Sequence, residues 1–379
     1  MRQLRPESMD AAAAVMAGAA ADGDPIRIVG GGTKLGWGAT GDVPGVEVHT
    51  SGLERIVEHN EGDLTAVLEA GVPMEAAQRR FASAGQMLAL DPPLGSDHAA
   101  TVGGVLATGD CGPLQHRYGA PRDLVLGMTV ALSDGTLARS GGKVIKNVAG
   151  YDLAKLFCGS FGTLGLILQV SVRLQPLPAS TATALGATTD PNLLARAART
   201  LATAPFELEA LDLAWRAGRG GVLAQVGGTQ ARLRAERVAT SMREEGLARV
   251  EIATDDAELW ARQRAGQRSA SGVIVRISGR PSEITRVLRA TDACGGTLVG
   301  RAALGMSCIE LEPDALGRLA EHLPRAASVV VLDAPLEVRE AVEPWGSLPP
   351  APLLQLMRNV KARFDPAHAC NPGVFVGGI

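Results

Sequence analysis

Three glycine-bearing segments in the first half of the chain have the residue types to hold a flat, anionic ligand. The first is Gly30-Gly31-Gly32-Thr33-Lys34-Leu35-Gly36. Consecutive glycines let successive backbone N–H groups turn into one concavity suited to a pyrophosphate, and the Thr33 hydroxyl adds a donor. The same run also suits a hairpin connection that holds nothing. The second is Asp91-Pro92-Pro93-Leu94-Gly95-Ser96, continuing to Ala100-Thr101-Val102-Gly103-Gly104. Its prolines stiffen the chain and its glycines let a planar ligand lie against backbone. The third runs from Lys143 through Ile145, Lys146, Asn147 and Gly150 to Tyr151 and Leu153, and leads to Gly159-Ser160-Phe161-Gly162-Thr163-Leu164-Gly165-Leu166-Ile167. Lys143 and Lys146 are candidate cations for a bound anion, or solvated hairpin positions.

These segments need elements to position them. Residues 8–21 read as an amphipathic helix and not as a signal peptide. Residues 25–29 form a short β-rich run that ends at the triple glycine. A Rossmann fingerprint requires a helix directly after its glycines. Here Gly36, Gly38, Gly41 and Pro44 forbid one, and Leu35 stands where the last glycine of GxGxxG belongs. The Rossmann fold is therefore disfavoured. Residues 46–49 and 64–72 read as strands, with a short helix over 53–57 between them. A helix opens at Pro73, with Met74, Ala77, Phe81 and Ala84 on one face and Gly85 to close it. Residues 91–123 read as loop-rich. Residues 126–140 form a hairpin turning at Asp134-Gly135, and 164–174 alternate as a strand.

Pro176 and Pro178, followed by Ser180-Thr181-Ala182-Thr183, mark a boundary. Beyond it, helices are expected over 192–201, 229–245, 281–290 and 315–322. Strands are expected over 207–215, 221–226, 272–277, 298–302, 308–311 and 328–332. That alternation predicts a compact α+β second domain, and residues 352–364 read as one more helix. A chain of 379 residues fits such a two-domain plan.

Composition narrows the function classes. Hydrophobic residues make up 46% and charged residues 20%, a globular balance. Aromatics at 3% and a net charge of -3 argue against a nucleic-acid surface. Cys111, Cys158, Cys294, Cys308 and Cys370 show no CxxC spacing, so neither a zinc nor an iron–sulfur site is signalled and reduced, cytoplasmic thiols are expected. No run approaches the roughly 20 apolar residues of an integral membrane segment.

The order and spacing of the three glycine segments resemble the FAD-binding domain of the vanillyl-alcohol oxidase superfamily (the PCMH-type fold, two α+β subdomains), over about residues 25–178. The resemblance implies that Gly30, Gly31, Gly32, Thr33, Lys34 and Leu35 hold the pyrophosphate. It implies that Pro92, Pro93, Thr101, Val102, Gly103 and Gly104 run beside the pyrophosphate and flavin, that Lys146, Asn147, Gly150 and Tyr151 contribute to the cofactor site, and that the backbone of Ile167 meets the adenine. It narrows further. Ser83-Ala84-Gly85-Gln86-Met87-Leu88, Pro92-Pro93, Gly112-Pro113, Arg122-Asp123, residues 146–153 and the ending Asn371-Pro372-Gly373 are similar to the FAD-binding subunits E of bacterial glycolate oxidase (glycolate dehydrogenase). This implies a PCMH-type FAD-binding domain over 1–178, a smaller α+β cap or partner domain over 179–350, and a C-terminal segment with its helix, 351–379, returning to the FAD domain. It also implies a complex with a larger flavin subunit and an iron–sulfur subunit. Such a complex oxidises a small 2-hydroxy acid, glycolate, to glyoxylate and passes electrons onward. The chain is then cytoplasmic, or peripheral on the inner membrane through the complex.

The chain departs from related 2-hydroxy-acid dehydrogenases by lacking an HxGDGNxH segment, which in them supplies metal ligands and a base. His322 and His368 stand isolated beyond residue 178. No metal site and no catalytic base is therefore expected, and substrate chemistry falls to the larger subunit. The alternatives are a self-sufficient FAD-dependent oxidoreductase for another 2-hydroxy acid or alcohol, and a scaffold subunit that has lost its flavin. The glycine loop holds no His, so FAD is expected to be non-covalent. Cys111 and His116 could approach the flavin, Cys111 also reading as a packing residue. Arg117, Tyr118 and Arg122 are candidates for a substrate carboxylate, Arg122 also for pairing with Asp123. Cys158 reads as core, and Arg232, Arg234, Arg237 and Arg243 as one solvated helix face.

Overall fold

The computed structural model describes residues 1–144, 151–324 and 327–379, which divide into two compact units. The first comprises Met1–Cys111, Tyr118–Leu177 and Leu348–Ile379; the second comprises Gly112–Arg117 and Pro178–Ser347.

The first unit holds two main sheets. Arg2–Leu4, Val46–His49 and Ile26–Val29 form a parallel three-stranded sheet in that order. Ile56–Asn60, Thr65–Glu69, Leu166–Arg173, Val125–Ala131 and Leu137–Gly141 form a five-stranded antiparallel sheet in that order. The helix Met9–Ala21 starts at Ser8, whose hydroxyl accepts the N–H of Ala11 at 3.1 Å. Its small face, Ala12, Met16 and Ala19, packs in one core with Val46, Val48, Leu166 and Leu168, and Cys370 joins that core from the far end of the sequence. The hairpin turns at Asp134-Gly135 as expected, with Gly135 at φ +82°.

One expectation fails here. Residues 53–57 are not a helix: a 3-10 turn at Thr50–Gly52 leads into the strand Ile56–Asn60. β-branched Ile56 and Val57 suit an extended chain, and Thr65–Glu69 supplies the antiparallel partner. Within the loop-rich 91–123 stretch, Val102–Thr108 is a helix. Thr101 caps it, its Oγ1 accepting the Gly104 N–H at 3.2 Å. Gly103, unfavourable by propensity, is required by packing, since a Cβ there would lie 2.6 Å from the Ala70 Cβ.

The second unit is built on one eight-stranded antiparallel sheet whose central strands are Arg219–Gly227, Ala210–Arg216, Thr297–Arg301 and Met306–Leu311. Helices Pro191–Thr203, Ala231–Glu244 and Ile284–Ala293 cover one face, where Leu211, Leu213 and Trp215 are buried. Alternation sends Ala210 to the opposite face, where Trp260 of the helix Ala257–Ala265 covers it. Thr181–Thr188, read as part of a boundary, is an interior strand of this sheet, and Arg249–Ala253 is its unforeseen edge. Among the described residues no helix is long and apolar enough to cross a membrane.

Candidate cofactor site

A cleft in the first unit is lined by the first glycine segment, the Val102–Thr108 helix with its cap Thr101, the 161–167 region and Asn371, Pro372 and Val374. The strand Ile26–Val29 delivers the chain to Gly30, and the next residues pack directly on the second segment. A Cβ on Gly30 would lie 2.4 Å from Thr101 Oγ1, and one on Gly31 would lie 1.5 Å from the Ala99 carbonyl oxygen. At Gly31 the contact is with backbone and excludes any side chain; at Gly30 a side chain would displace the Thr101 hydroxyl that caps the helix. Gly32 has φ +71°, the left-handed value that turns successive amides towards one side. Among the described residues, the N–H groups of Gly31, Gly32 and Thr33 donate to no protein acceptor. Gly31 and Thr33 are half-buried and Gly32 is exposed, so these three donors stand open on the cleft wall and can take a polar occupant.

Lys34 brings charge to this wall. Its ammonium lies 3.4 Å from Asp110 Oδ2, with side chains 6% and 7% exposed. It also lies 3.4 Å from Thr33 Oγ1 and 5.8 Å from the centroid of the buried Trp37 ring. A charge so buried is tolerable only with partners, and the cleft-facing loop gains a fixed cation.

The structure gathers Gly30, Gly31, Gly32, Thr33, Lys34, Leu35, Thr101, Gly103, Gly104 and Ile167 around one cleft. Pro92, Pro93 and Val102 are buried and do not line it. Tyr151 is 90% exposed and away from it. Lys146, Asn147 and Gly150 lie outside the described residues.

Several other candidates are committed elsewhere. Arg117 donates to the Glu207 carbonyl at 2.9 Å and pairs with Glu209 at 3.6 Å, all within the second unit. Arg122 sits 3.9 Å from Asp123, and Lys143 pairs with Glu58. His322 Nδ1 lies 2.8 Å from the Arg318 carbonyl on its own helix. Arg234 is no solvated position, since it donates to the carbonyls of Gly227 and Phe206. His116 has its imidazole pKa lowered by burial and by neighbouring Arg117. Burial, with help from Asp152 and Asp123, pushes the Cys158 thiol up to about 12. Both effects favour the neutral forms. Among the described residues no cluster of His, Cys, Asp or Glu is arranged to hold a metal.

Sequence reasoning missed Asp110 and Val374; it named Gly162 and Gly165 in the third glycine segment and Asn371-Pro372 in the returning C-terminal segment without assigning them to a wall of the site. Asn371-Pro372-Gly373 signals a turn, but no local pattern tells which cleft a turn closes.

Residues 3–141 match the family model described as FAD binding domain. The match defines the class over that stretch: residues 3–141 are an FAD-binding domain, and FAD is its cofactor. The chain is similar to glycolate oxidase subunit GlcE of Escherichia coli (strain K12), 38% identical over 42% of this chain and 45% of that protein. It is similar to glycolate oxidase subunit GlcD of Bacillus subtilis (strain 168), 37% identical over 42% of this chain and 34% of that protein. It is also similar to a D-lactate dehydrogenase of Archaeoglobus fulgidus, 34% identical over 46% of this chain and 38% of that protein. The match thus spans less than half the length of each of these relatives. An alkyldihydroxyacetonephosphate synthase structure shares the fold, with a TM-score of 0.69 at 13% identity over 98% of this chain and 76% of that one.

Proposed function

We propose that this chain is the FAD-binding subunit of a complex that oxidises glycolate to glyoxylate, acting with a larger flavin subunit and an iron–sulfur subunit. One observation carries the reading: the cleft walled by uncommitted glycine amides lies in the unit that holds residues 3–141, which match an FAD binding domain model, in a chain similar over 162 residues to a glycolate oxidase subunit. Gly31, Gly32 and Thr33 donate to the pyrophosphate, and Lys34 balances its charge. Thr101, Gly103 and Gly104 form the wall beside it, and the Ile167 backbone receives the adenine. Bound FAD supplies a carrier of two electrons within the complex. The protein's part is to hold that acceptor without a covalent bond and to exclude water from its phosphates.

In the second unit, Arg117 and His322 are held by protein partners. Arg117 is tied to Glu207 and Glu209, and His322 to its own helix. The reading therefore assigns glycolate chemistry to the larger subunit. Co-purification of the chain from its native cell, with flavin measured per chain and glycolate turnover assayed with and without the partners, tests this. Yellow protein that turns over glycolate only in the complex is expected. Substantial turnover by the isolated chain favours a self-sufficient oxidoreductase, and a colourless isolated chain removes the cofactor role.

A further inference from the structure

Asn371 is the point where three stretches of the first unit meet. Its Oδ1 accepts the N–H of Ile28 at 3.0 Å, and its Nδ2 donates to the Phe161 carbonyl at 2.6 Å. Ile28 lies two residues before the glycine run, and Phe161 directly precedes Gly162; all of them line the cleft. The residue has φ +40°, in the left-handed region that Asn tolerates better than most residues. Space around it is tight, for a Cβ on Gly162 would lie 2.8 Å from Asn371 Nδ2.

The adjoining backbone is bonded along the same wall. Asn371 N donates to Ile26 O at 2.8 Å, Asp42 N to Pro372 O at 3.1 Å, and Ala39 N to Val374 O at 3.0 Å. Asn371, Pro372 and Val374 thus complete a side of the cleft that the glycine segments leave open. Behind them, Lys361 spends its ammonium protons on Thr163 O at 2.8 Å, Cys370 O at 2.8 Å and Asp365 Oδ2 at 2.6 Å. That anchor fixes the residue before Asn371 and the loop after Phe161 to one buried charge.

We propose that Asn371 is a positioning residue for the dinucleotide. Both polar ends of its side chain are spent on backbone, so it acts through the two walls it joins. It sets the spacing between the Ile28–Gly32 wall and the Phe161–Gly165 wall, and with it the rate at which FAD leaves. This rests on the reading of the cleft as the FAD site.

The test uses the full chain with FAD removed and titrated back, at a temperature where circular dichroism shows every variant folded. Flavin fluorescence reads affinity and dissociation rate. N371G keeps the left-handed backbone without strain and deletes both side-chain bonds. Its FAD dissociation rate is expected to rise about tenfold or more. N371D keeps the acceptor for Ile28 but sets a carboxylate oxygen against the Phe161 carbonyl, so its rate is expected to rise at least as much as that of N371G. Rates equal to wild type in both variants overturn the inference. So does a lowered melting temperature with unchanged rates, which marks a merely structural role. If the wild-type chain takes up no FAD, the reading of the cleft falls, and the inference with it.

Discussion

Lys361 and Asp365 form an ion pair at 2.6 Å one helical turn apart, with side chains 3% and 0% exposed. Buried charges of this kind are stable only when every hydrogen-bonding position is used. Here the Lys361 ammonium has three acceptors, and the Asp365 carboxylate also accepts the N–H groups of Ala369 and Cys370. Burial alone raises the Asp365 pKa, but the hydrogen bond and charge of Lys361, with the Cys370 N–H, oppose it and the carboxyl is held below its ordinary value.

Lys361→Met is expected to destabilise the protein by about 3–5 kcal/mol, because it leaves a buried carboxylate without its cation. Urea unfolding checks this. A depressed carboxyl pKa adds stability that is present above the unfolded value and lost as pH falls through the folded one. Acid unfolding below about pH 4 should therefore be shallower in Asp365→Asn than in wild type.

Gly31→Ala is expected to abolish FAD uptake. The added carbon would sit 1.5 Å from the Ala99 carbonyl oxygen, so the glycine loop must leave the 99–101 backbone it rests on. Flavin absorbance per chain, measured on folded protein, reads the outcome. Retention of full FAD content would show that the loop is not part of the site.

Asp212 gives a pH signature of the opposite sign. It is 2% exposed in mid-sheet, and burial raises its pKa to about 6 against the opposing effects of Arg301 and the Gln263 hydrogen bond. Its Oδ1 has no hydrogen-bond partner, while Gln263 donates to Oδ2 at 3.0 Å. A raised carboxyl pKa contributes stability that is fully present below about pH 4 and lost as pH rises through about 6. Asp212→Asn should remove that loss, worth about 3 kcal/mol between pH 4 and pH 7. Denaturant midpoints for both proteins across that range provide the check.

Native-state thiol reactivity should be low. With its pKa at about 12, Cys158 is almost wholly protonated at pH 8, and only the thiolate reacts. Cys370 is fully buried, and burial followed by the Asp365 charge pushes its thiol up further. Disulfide-exchange reagents are expected to modify these cysteines only after unfolding. Fast reaction of Cys158 in the native protein would contradict the environment described.

Local chemistry determined much of this protein. The triple glycine without a following helix, the Asp134-Gly135 hairpin and the alternation of Leu166, Leu168, Val170 and Val172 are short-range facts, settled by backbone freedom and strand periodicity. The PCMH-type class and the cofactor followed from their order. Tertiary structure decided what depends on contacts distant in sequence. Propensity reads Val102-Gly103-Gly104 as loop, yet close approach to Ala70 makes it a helix. Arg117 has the chemistry of a carboxylate receptor, and only the fold shows Glu209 waiting for it. Asn371 lies 343 residues from Ile28. No window of sequence contains both, so its place in the cleft wall arises only when the chain closes on itself.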